Sequence, residues 1–199
     1  MAPFTVATFN ANSIRVRLPQ ILDWLERVQP DVLGVQETKA QDDDFPRDAL
    51  AEAGWHVVFR GEKSYNGVAL ITREPAEEVQ FGFDDGSDPT RLVRAVVRGI
   101  QVINSYVPQG KSIEHADYQV KLAWLGRIRE LLEAHHTPQD PILWMGDLNV
   151  APAPIEEHPD LLFAIDKPPE TQTIFGLSAV IRHAARIGVP AQRLLVDYH

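Results

Sequence analysis

Short apolar runs rich in β-branched residues recur along the chain and alternate, in its first half, with longer amphipathic stretches. Runs of this length and composition are typical of β-strands. The predicted strands cover residues 5–9, 32–36, 56–60, 68–73, 92–98, 101–106 and 141–145. A helical pattern, with apolar residues three or four apart, covers residues 14–28, 44–53, 114–135 and 180–187. The alternation predicts an α/β fold in which a mixed β-sheet is layered with helices.

The composition narrows the classes of protein that this chain can belong to. The 199 residues include no cysteine, which excludes disulfide scaffolds, thiolate metal sites and cysteine nucleophiles. No apolar run reaches the roughly 20 residues that a membrane-spanning helix needs, and residues 1–6 lack the pattern of a signal peptide. We therefore expect a cytoplasmic protein. The net charge of −9 provides no global positive field for nucleic acid, so phosphate binding would depend on local groups or on a bound cation.

Polar side chains follow four of the predicted strands. They are Asn10 and Asn12, Gln36 and Glu37, Tyr106 and Gln109, and Asp147 and Asn149. In layered α/β folds the loops at one end of the sheet form the ligand site, so we expect these groups to converge. Carboxylate and amide oxygens suit a hard divalent cation such as Mg²⁺, and a further carboxylate beside an amide can activate water. The set predicts metal-assisted hydrolysis of a phosphate ester, although each residue taken singly is more typical of a turn, a cap or a solvated loop.

Five segments, four of which contain these residues, resemble the motifs of the exonuclease III family within the exonuclease–endonuclease–phosphatase superfamily. The segments are 8–15 (TFNANSIR), 30–39 (PDVLGVQETK), 65–70 (YNGVAL), 102–110 (VINSYVPQG) and 145–152 (MGDLNVAP). One Gly-Asp-x-Asn motif would be a weak signal, but five motifs in the family's order are a strong one. The resemblance implies a four-layer α/β sandwich, of which this chain would supply the N-terminal part.

The resemblance also implies an activity, a cofactor and a partner. Members of the family are Mg²⁺-dependent enzymes, for which Mn²⁺ can substitute. They act on double-stranded DNA, which they cleave at abasic sites or digest from 3′ ends during DNA repair. By position, Asn10 and Glu37 match the metal-site residues of the family, with Glu37 as the direct ligand.

The remaining site residues follow from the same resemblance. Tyr106 matches the tyrosine that donates a hydrogen bond to the scissile phosphate. Asp147 matches the carboxylate that activates or orients the attacking water, and Asn149 matches the amide that positions both the phosphate and that aspartate. Three further residues match substrate-binding positions: Asn12, Gln109 and Lys111.

The last part of the chain departs from the family's pattern. Only 50 residues follow Asn149, and the late Trp-x-Asp-Tyr and Ser-Asp-His motifs of the family are absent. Residues 195–198 bear a faint likeness to a family strand motif that ends in Asp-Tyr. We therefore divide the chain into a partial family domain, residues 1–166, and a diverged tail, residues 167–199. We expect a gene product that is truncated or frameshifted after its first half, and a natural short variant is the alternative.

This division has consequences for assembly and for activity. A half-sandwich would leave the inner face of its sheet uncovered, which favours self-association or cover by the tail. A nuclease without its late catalytic groups would be weak or inactive. Two alternatives stay open: a non-catalytic DNA-binding or assembly module on the same fold, and another phosphoesterase of the superfamily that acts on lipid or small phosphates.

Overall fold

A computed structural model describes residues 4–149, which form two four-stranded β-sheets with helices on their outer sides. The strands are β1 (Val6–Asn10), β2 (Val32–Gln36), β3 (His56–Glu62), β4 (Tyr65–Thr72), β5 (Glu77–Phe81), β6 (Leu92–Val97), β7 (Ile100–Tyr106) and β8 (Ile142–Asp147). The helices are α1 (Ile14–Val28), α2 (Arg47–Glu52) and α3 (Ala116–His135), with a short 3-10 helix at Asp42–Asp44. The predicted helix 180–187, the boundary at 166 and the likeness at 195–198 lie outside the described residues.

Each sheet combines one parallel pair of strands with two antiparallel pairs. The strand order is β1-β2-β4-β3 in the first sheet and β5-β6-β7-β8 in the second. β1 runs parallel to β2, and β8 runs parallel to β7. The other neighbours are antiparallel. The predicted α/β fold with mixed pairing is confirmed, but the strands are divided between two sheets.

The two sheets pack face to face and enclose the central core. Val32 and Leu70 of the first sheet belong to the same buried cluster as Val93 and Met145 of the second. On the outer side of the first sheet, α1 and α2 form a second cluster with β2, β3 and β4. On the outer side of the second sheet, α3 packs through residues such as Ile128. The described residues therefore form four layers in the order helix, sheet, sheet, helix.

The predicted uncovered sheet face is wrong for this part of the molecule. That prediction assumed that the chain before the tail builds a single sheet. Instead, the second sheet begins at β5, and inner residues of both sheets, such as Leu70 and Val102, are fully buried against each other. Within residues 4–149 the packed inner faces therefore leave no open sheet face for self-association.

Two elements differ from the prediction for local reasons. β5 was not predicted because Glu77, Glu78 and Gln80 make this strand more polar than the apolar runs that signalled the others. The predicted helix 44–53 begins only at Arg47, because Pro46 disfavours helical backbone in the residue before it and Phe45 is extended.

In residues 4–149, no helix has both the length and the apolar character needed to span a membrane.

Candidate active site

The parallel strand pairs bring polar residues to one edge of the sandwich. In the first sheet Asn10 pairs with Gln36, so that Glu37 follows directly at the end of β2. In the second sheet Tyr106 pairs with Asp147. Since the two sheets face each other, the ends of β1, β2, β7 and β8 lie together. The predicted convergence of four strand ends is therefore present in the structure.

The side chain of Asn10 joins the two sheets at this edge. Its Nδ2 group donates to Glu37 Oε1 at 2.8 Å and to Asp147 Oδ2 at 2.9 Å. Its Oδ1 atom accepts a hydrogen bond from the backbone N–H of Asn12 at 3.1 Å, which fixes the orientation of the amide. One neutral amide group thus holds a carboxylate from each sheet and keeps the two carboxylates close to each other.

Glu37 lies beside a cation and is largely enclosed. Its side chain is 19% exposed, and its Oε2 atom is 2.9 Å from the Lys39 ammonium. Burial alone would raise the pKa of Glu37, but the Asn10 amide, the Lys39 ammonium and the Tyr106 phenol together hold that pKa below its usual range. The Lys39 ammonium also donates to Asn12 Oδ1. The oxygens of Glu37 and Asn12 therefore already bind a positive charge.

Tyr106 presents a neutral hydrogen-bond donor to the same cluster. Burial of the ring and the negative charge of Glu37 raise the pKa of Tyr106 to about 12. The Arg91 guanidinium lies 4.8 Å from the centroid of this ring, and Arg91 Nη1 donates to the backbone oxygen of Tyr106 at 3.2 Å. The phenol consequently keeps its proton at neutral pH, where it can donate to a negatively charged oxygen.

Asn149 supports Asp147 from the loop after β8. Its backbone N–H donates to Asp147 Oδ1 at 3.2 Å, and its Nδ2 group donates to the backbone oxygen of Val107 at 2.8 Å. The second contact ties the loop after β8 to the loop after β7. Each carboxylate oxygen of Asp147 thus has one donor. Within residues 4–149 no cationic side chain forms an ion pair with Asp147.

The two predicted substrate-binding residues of the loop after β7 lie outside this hydrogen-bonded cluster. Gln109 is exposed. The Lys111 ammonium is 2.7 Å from Asp117 Oδ2 and 3.5 Å from His115 Nε2, so it ties the loop to the start of α3. Asn12, the third predicted substrate-binding residue, does join the cluster through Asn10 and Lys39.

Sequence reasoning missed three residues at this edge. Lys39 was not predicted as a partner of Glu37, although it lies two residues further along the same motif. Arg91 precedes β6 and had no distinguishing signal in the sequence. Tyr65 is 71% exposed at the start of β4. The next residue of β4 contacts the Glu37 loop, since the backbone N–H of Lys39 donates to the backbone oxygen of Asn66 at 3.0 Å. Tyr65 belongs to the Tyr-Asn-Gly segment, and this motif was the sequence feature that could have identified it.

The backbone of the site adopts conformations that most residues avoid. Asn12, Glu37, Lys39 and Asn149 have φ values of 44°, 50°, 50° and 48°. The left-handed region is common for glycine and tolerated by asparagine, but it is unfavourable for residues such as Glu and Lys. Such conformations persist where the surrounding structure holds them, and they are concentrated at functional sites.

The donor set fits a hard divalent cation. Residues 4–149 contain no group of three or more His, Cys, Asp or Glu side chains suited to a metal, so the oxygens would come from two carboxylates and from amides. Mg²⁺ in proteins is typically held by one or two carboxylates and retains several waters. Glu37 is ionised, and a lysine ammonium already occupies part of the pocket. Both observations favour a cation at this point.

Comparison with known proteins finds a family model that matches most of this chain and a curated relative of similar sequence. Residues 7–163 match the Endonuclease/Exonuclease/phosphatase family. Exodeoxyribonuclease III of Haemophilus influenzae is 35% identical over 156 residues, which are 75% of this chain and 58% of that protein. The chain thus spans about three fifths of the length of this curated relative.

Two solved structures share the fold at similar identity. An AP endonuclease from Archaeoglobus fulgidus is 40% identical with a TM-score of 0.73, over 92% of this chain and 68% of that one. A 3′-5′ exonuclease from Neisseria meningitidis is 36% identical with a TM-score of 0.69, over 74% of this chain and 59% of that one.

Proposed function

Because the chain belongs to the endonuclease/exonuclease/phosphatase family and resembles exonuclease III in particular, we propose that it is a Mg²⁺-dependent DNA phosphodiesterase of the exonuclease III type. Its substrate would be double-stranded DNA with an abasic site or a 3′ end. The observation that carries this proposal is the Asn10 side chain, which holds Glu37 and Asp147 together across the two sheets.

Glu37 would hold the cation, and Asn10, whose Nδ2 group donates to Glu37, would orient that carboxylate within the metal site. Glu37 supplies an ionised carboxylate, and the Asn12 amide oxygen lies beside it with the Lys39 ammonium between them. When bound, Mg²⁺ supplies positive charge that attracts the DNA phosphate and polarises its oxygens. The acidic net charge of the chain therefore does not prevent phosphate from entering this site.

Tyr106 and Asp147 would act on the phosphate and on the attacking water. The neutral phenol of Tyr106 donates a hydrogen bond to a non-bridging phosphate oxygen, where negative charge increases in the transition state. The Asp147 carboxylate accepts a proton from water as that water forms a bond to phosphorus, the P–O bond to the departing sugar oxygen breaks, and solvent water supplies a proton to that oxygen. Both oxygens of Asp147 are oriented by donors, Asn10 on one side and Asn149 on the other, so the base is held in one position before the substrate arrives.

The flanking residues would orient the attacking water or contact the DNA backbone. Asn149 donates its amide hydrogen to Val107, and its amide oxygen, which accepts no hydrogen bond from residues 4–149, would orient the water. Gln109 and Lys111 would bind phosphates from the loop after β7, and Asn12 would do so from the loop after β1. Lys111 would have to exchange its present contact with Asp117 for the DNA.

The test is cleavage of a duplex that contains one abasic site by the purified chain, with Mg²⁺ or with a chelator. We expect Mg²⁺-dependent incision at the abasic site or shortening from the 3′ end, and loss of both in Glu37→Gln. DNA binding without cleavage at any enzyme concentration would instead support a non-catalytic module. Cleavage of a small or lipid phosphate ester in place of DNA would identify another phosphoesterase of the superfamily.

A further inference from the structure

A polar bridge is buried between the two sheets directly beneath the candidate active site. Gln36 and Asn104 are 1% and 0% exposed, and both lie among apolar strand residues. Buried polar groups are unfavourable unless every donor and acceptor is satisfied. Here the two amides hydrogen-bond to each other, and the NH₂ group of each also donates to backbone oxygens, so the pair requires a defined geometry.

The hydrogen bonds of Asn104 cross from the second sheet to the first. Its Nδ2 group donates to the backbone oxygens of Val35 at 3.1 Å and Ala69 at 2.9 Å, on β2 and β4. Since carbonyl oxygens only accept, this contact requires the NH₂ group of Asn104 and turns its Oδ1 atom toward Gln36. Gln36 Nε2 donates to that oxygen at 2.6 Å and to Thr8 Oγ1 at 2.9 Å.

Gly34 provides the space for this bridge. A Cβ atom at position 34 would lie 3.0 Å from Asn104 Cγ and 2.7 Å from the terminal methyl group of Met145. The lack of a side chain at Gly34 therefore lets Asn104 of β7 and Met145 of β8 pack directly against β2.

The bridge lies one strand repeat below the site. Gln36 is the residue before Glu37, and Asn104 is two residues before Tyr106, on the same face of β7. Asn104 also pairs with Met145 in the register that pairs Tyr106 with Asp147. Asn10 pairs with Gln36 and Glu37 follows it, while Tyr106 and Asp147 each lie two residues beyond Asn104 and its strand partner Met145.

From this geometry we infer that Gln36 and Asn104 are positioning residues, which fix the offset between the two sheets and thereby the distance from Glu37 to Tyr106 and Asp147. The apolar contacts between the sheets are non-directional and would tolerate a small slide. The amide bridge is directional, because Asn104 Nδ2 must face the backbone oxygens of Val35 and Ala69. The catalytic part of this inference rests on the proposed function, because a displacement of about 1 Å matters to rate on the order of 100-fold only where reacting groups must align.

The test replaces both members of the bridge by apolar residues of similar shape, in Gln36→Met/Asn104→Leu. Removing both partners leaves no unpaired amide, so the double variant should keep a cooperative thermal transition. We expect kcat for DNA cleavage to fall at least about tenfold with KM within about threefold, since the loss is one of alignment rather than DNA binding. Leu131→Ala, on the buried face of α3, should lower the thermal midpoint without changing kcat.

A second measurement reports the offset of the sheets independently of activity. The side-chain amide resonances of Asn10, assigned by their absence in Asn10→Asp, report its simultaneous contact with Glu37 and Asp147. We expect them to shift in the double variant and to stay unchanged in Leu131→Ala. Should the double variant fail to fold, Gln36→Met alone serves for both measurements, because Asn104 keeps its backbone contacts.

The outcomes separate this inference from the proposed function. A folded double variant with wild-type kcat and unchanged Asn10 resonances would overturn the positioning role. If the unmodified chain cleaves no phosphate ester, the proposed function fails, and the Asn10 resonances alone decide whether the bridge sets the offset.

Discussion

Two clusters of carboxylates in this molecule are stabilised in different ways. Where the β5–β6 loop meets α3, Asp84 contacts Arg94 at 2.8 Å and His135 at 2.6 Å, and Asp85 contacts Arg127 at 2.9 Å. At the strand ends, within the described residues 4–149, Glu37 has one cationic partner and the donors to Asp147 are amides. The first cluster pairs each acid with a base, which is typical of structural ion pairs. The second retains excess negative charge, which is typical of a cation site.

The two clusters also differ in which residue types adopt left-handed backbone conformations. The left-handed residues of the β5–β6 loop are Gly82, Gly86 and Asp88, types that tolerate this conformation. At the strand ends Glu37 and Lys39 adopt it, at a cost of about 1–2 kcal/mol each. The cluster with unbalanced charge is therefore also the one with unfavourable backbone, as expected where function rather than stability determines the arrangement.

The largest expected effect comes from comparing the kcat of variants at one aspartate from each cluster. Asp147→Asn should lower kcat on abasic-site DNA by about 10³-fold, because the proposed base can no longer accept a proton. Asp84→Asn, the matched control beside α3, should leave kcat within about twofold of wild type, in line with an effect confined to the surface. Steady-state kinetics on one substrate checks both. Comparable losses in the two variants would remove the distinction between the clusters.

Tyr106→Phe should lower kcat by about 10²-fold, since it removes one hydrogen-bond donor to the developing charge. Because the folded pKa of Tyr106 is about 12 against an ordinary 10.0, the stability that it contributes is present below pH 10 and is lost as the pH rises toward 12. Thermal midpoints measured from pH 9 upward should therefore fall less steeply in Tyr106→Phe. Tyr118→Phe, on α3, should match wild type in both measurements.

Lys39→Met should tighten Mg²⁺ binding by about fivefold, the effect of removing roughly 1 kcal/mol of unfavourable interaction between two cations near solvent. Titration calorimetry with Mg²⁺ gives the affinity, and Lys63→Met on the adjacent turn is the control. Weaker Mg²⁺ binding in Lys39→Met would show that the ammonium supports the cation site instead of competing for its oxygens.

The smallest effect concerns acid stability at the other cluster. Hydrogen bonds from His135 and Arg94 hold the pKa of Asp84 below its ordinary 3.8. The resulting stability is present above pH 3.8 and is lost as the pH falls through the lowered pKa. The thermal midpoint of Asp84→Asn should therefore decline less than that of wild type on acidification below pH 4. Identical acid profiles would indicate that these ion pairs contribute nothing measurable.

The sequence predicted most of the site because its residues follow strands that end at one edge. Asn10, Glu37, Tyr106 and Asp147 each come directly after or within an apolar run, so local pattern was sufficient. The contacts of Lys39 were not predictable, since they depend on a left-handed backbone at Glu37 that no residue type signals. Lys111 was expected to bind DNA, and its pairing with Asp117 required knowledge of where α3 begins.

The division of the strands between two sheets could not be predicted from the local sequence pattern. β5 follows β4 in sequence yet pairs with β6, and this choice depends on contacts between distant residues. The predicted open sheet face resulted from that gap. The α/β class was predictable because the alternation of strand and helix patterns is itself local.

The Asn10 contact with Asp147 joins residues that are 137 positions apart in the sequence. During synthesis on the ribosome, the first half of the site is made long before the second. A nascent chain that ends before β8 has no Asp147 and no completed pocket. The proposed nuclease therefore cannot act on DNA while it is still being translated up to that point, and its activity begins only with a late step of folding.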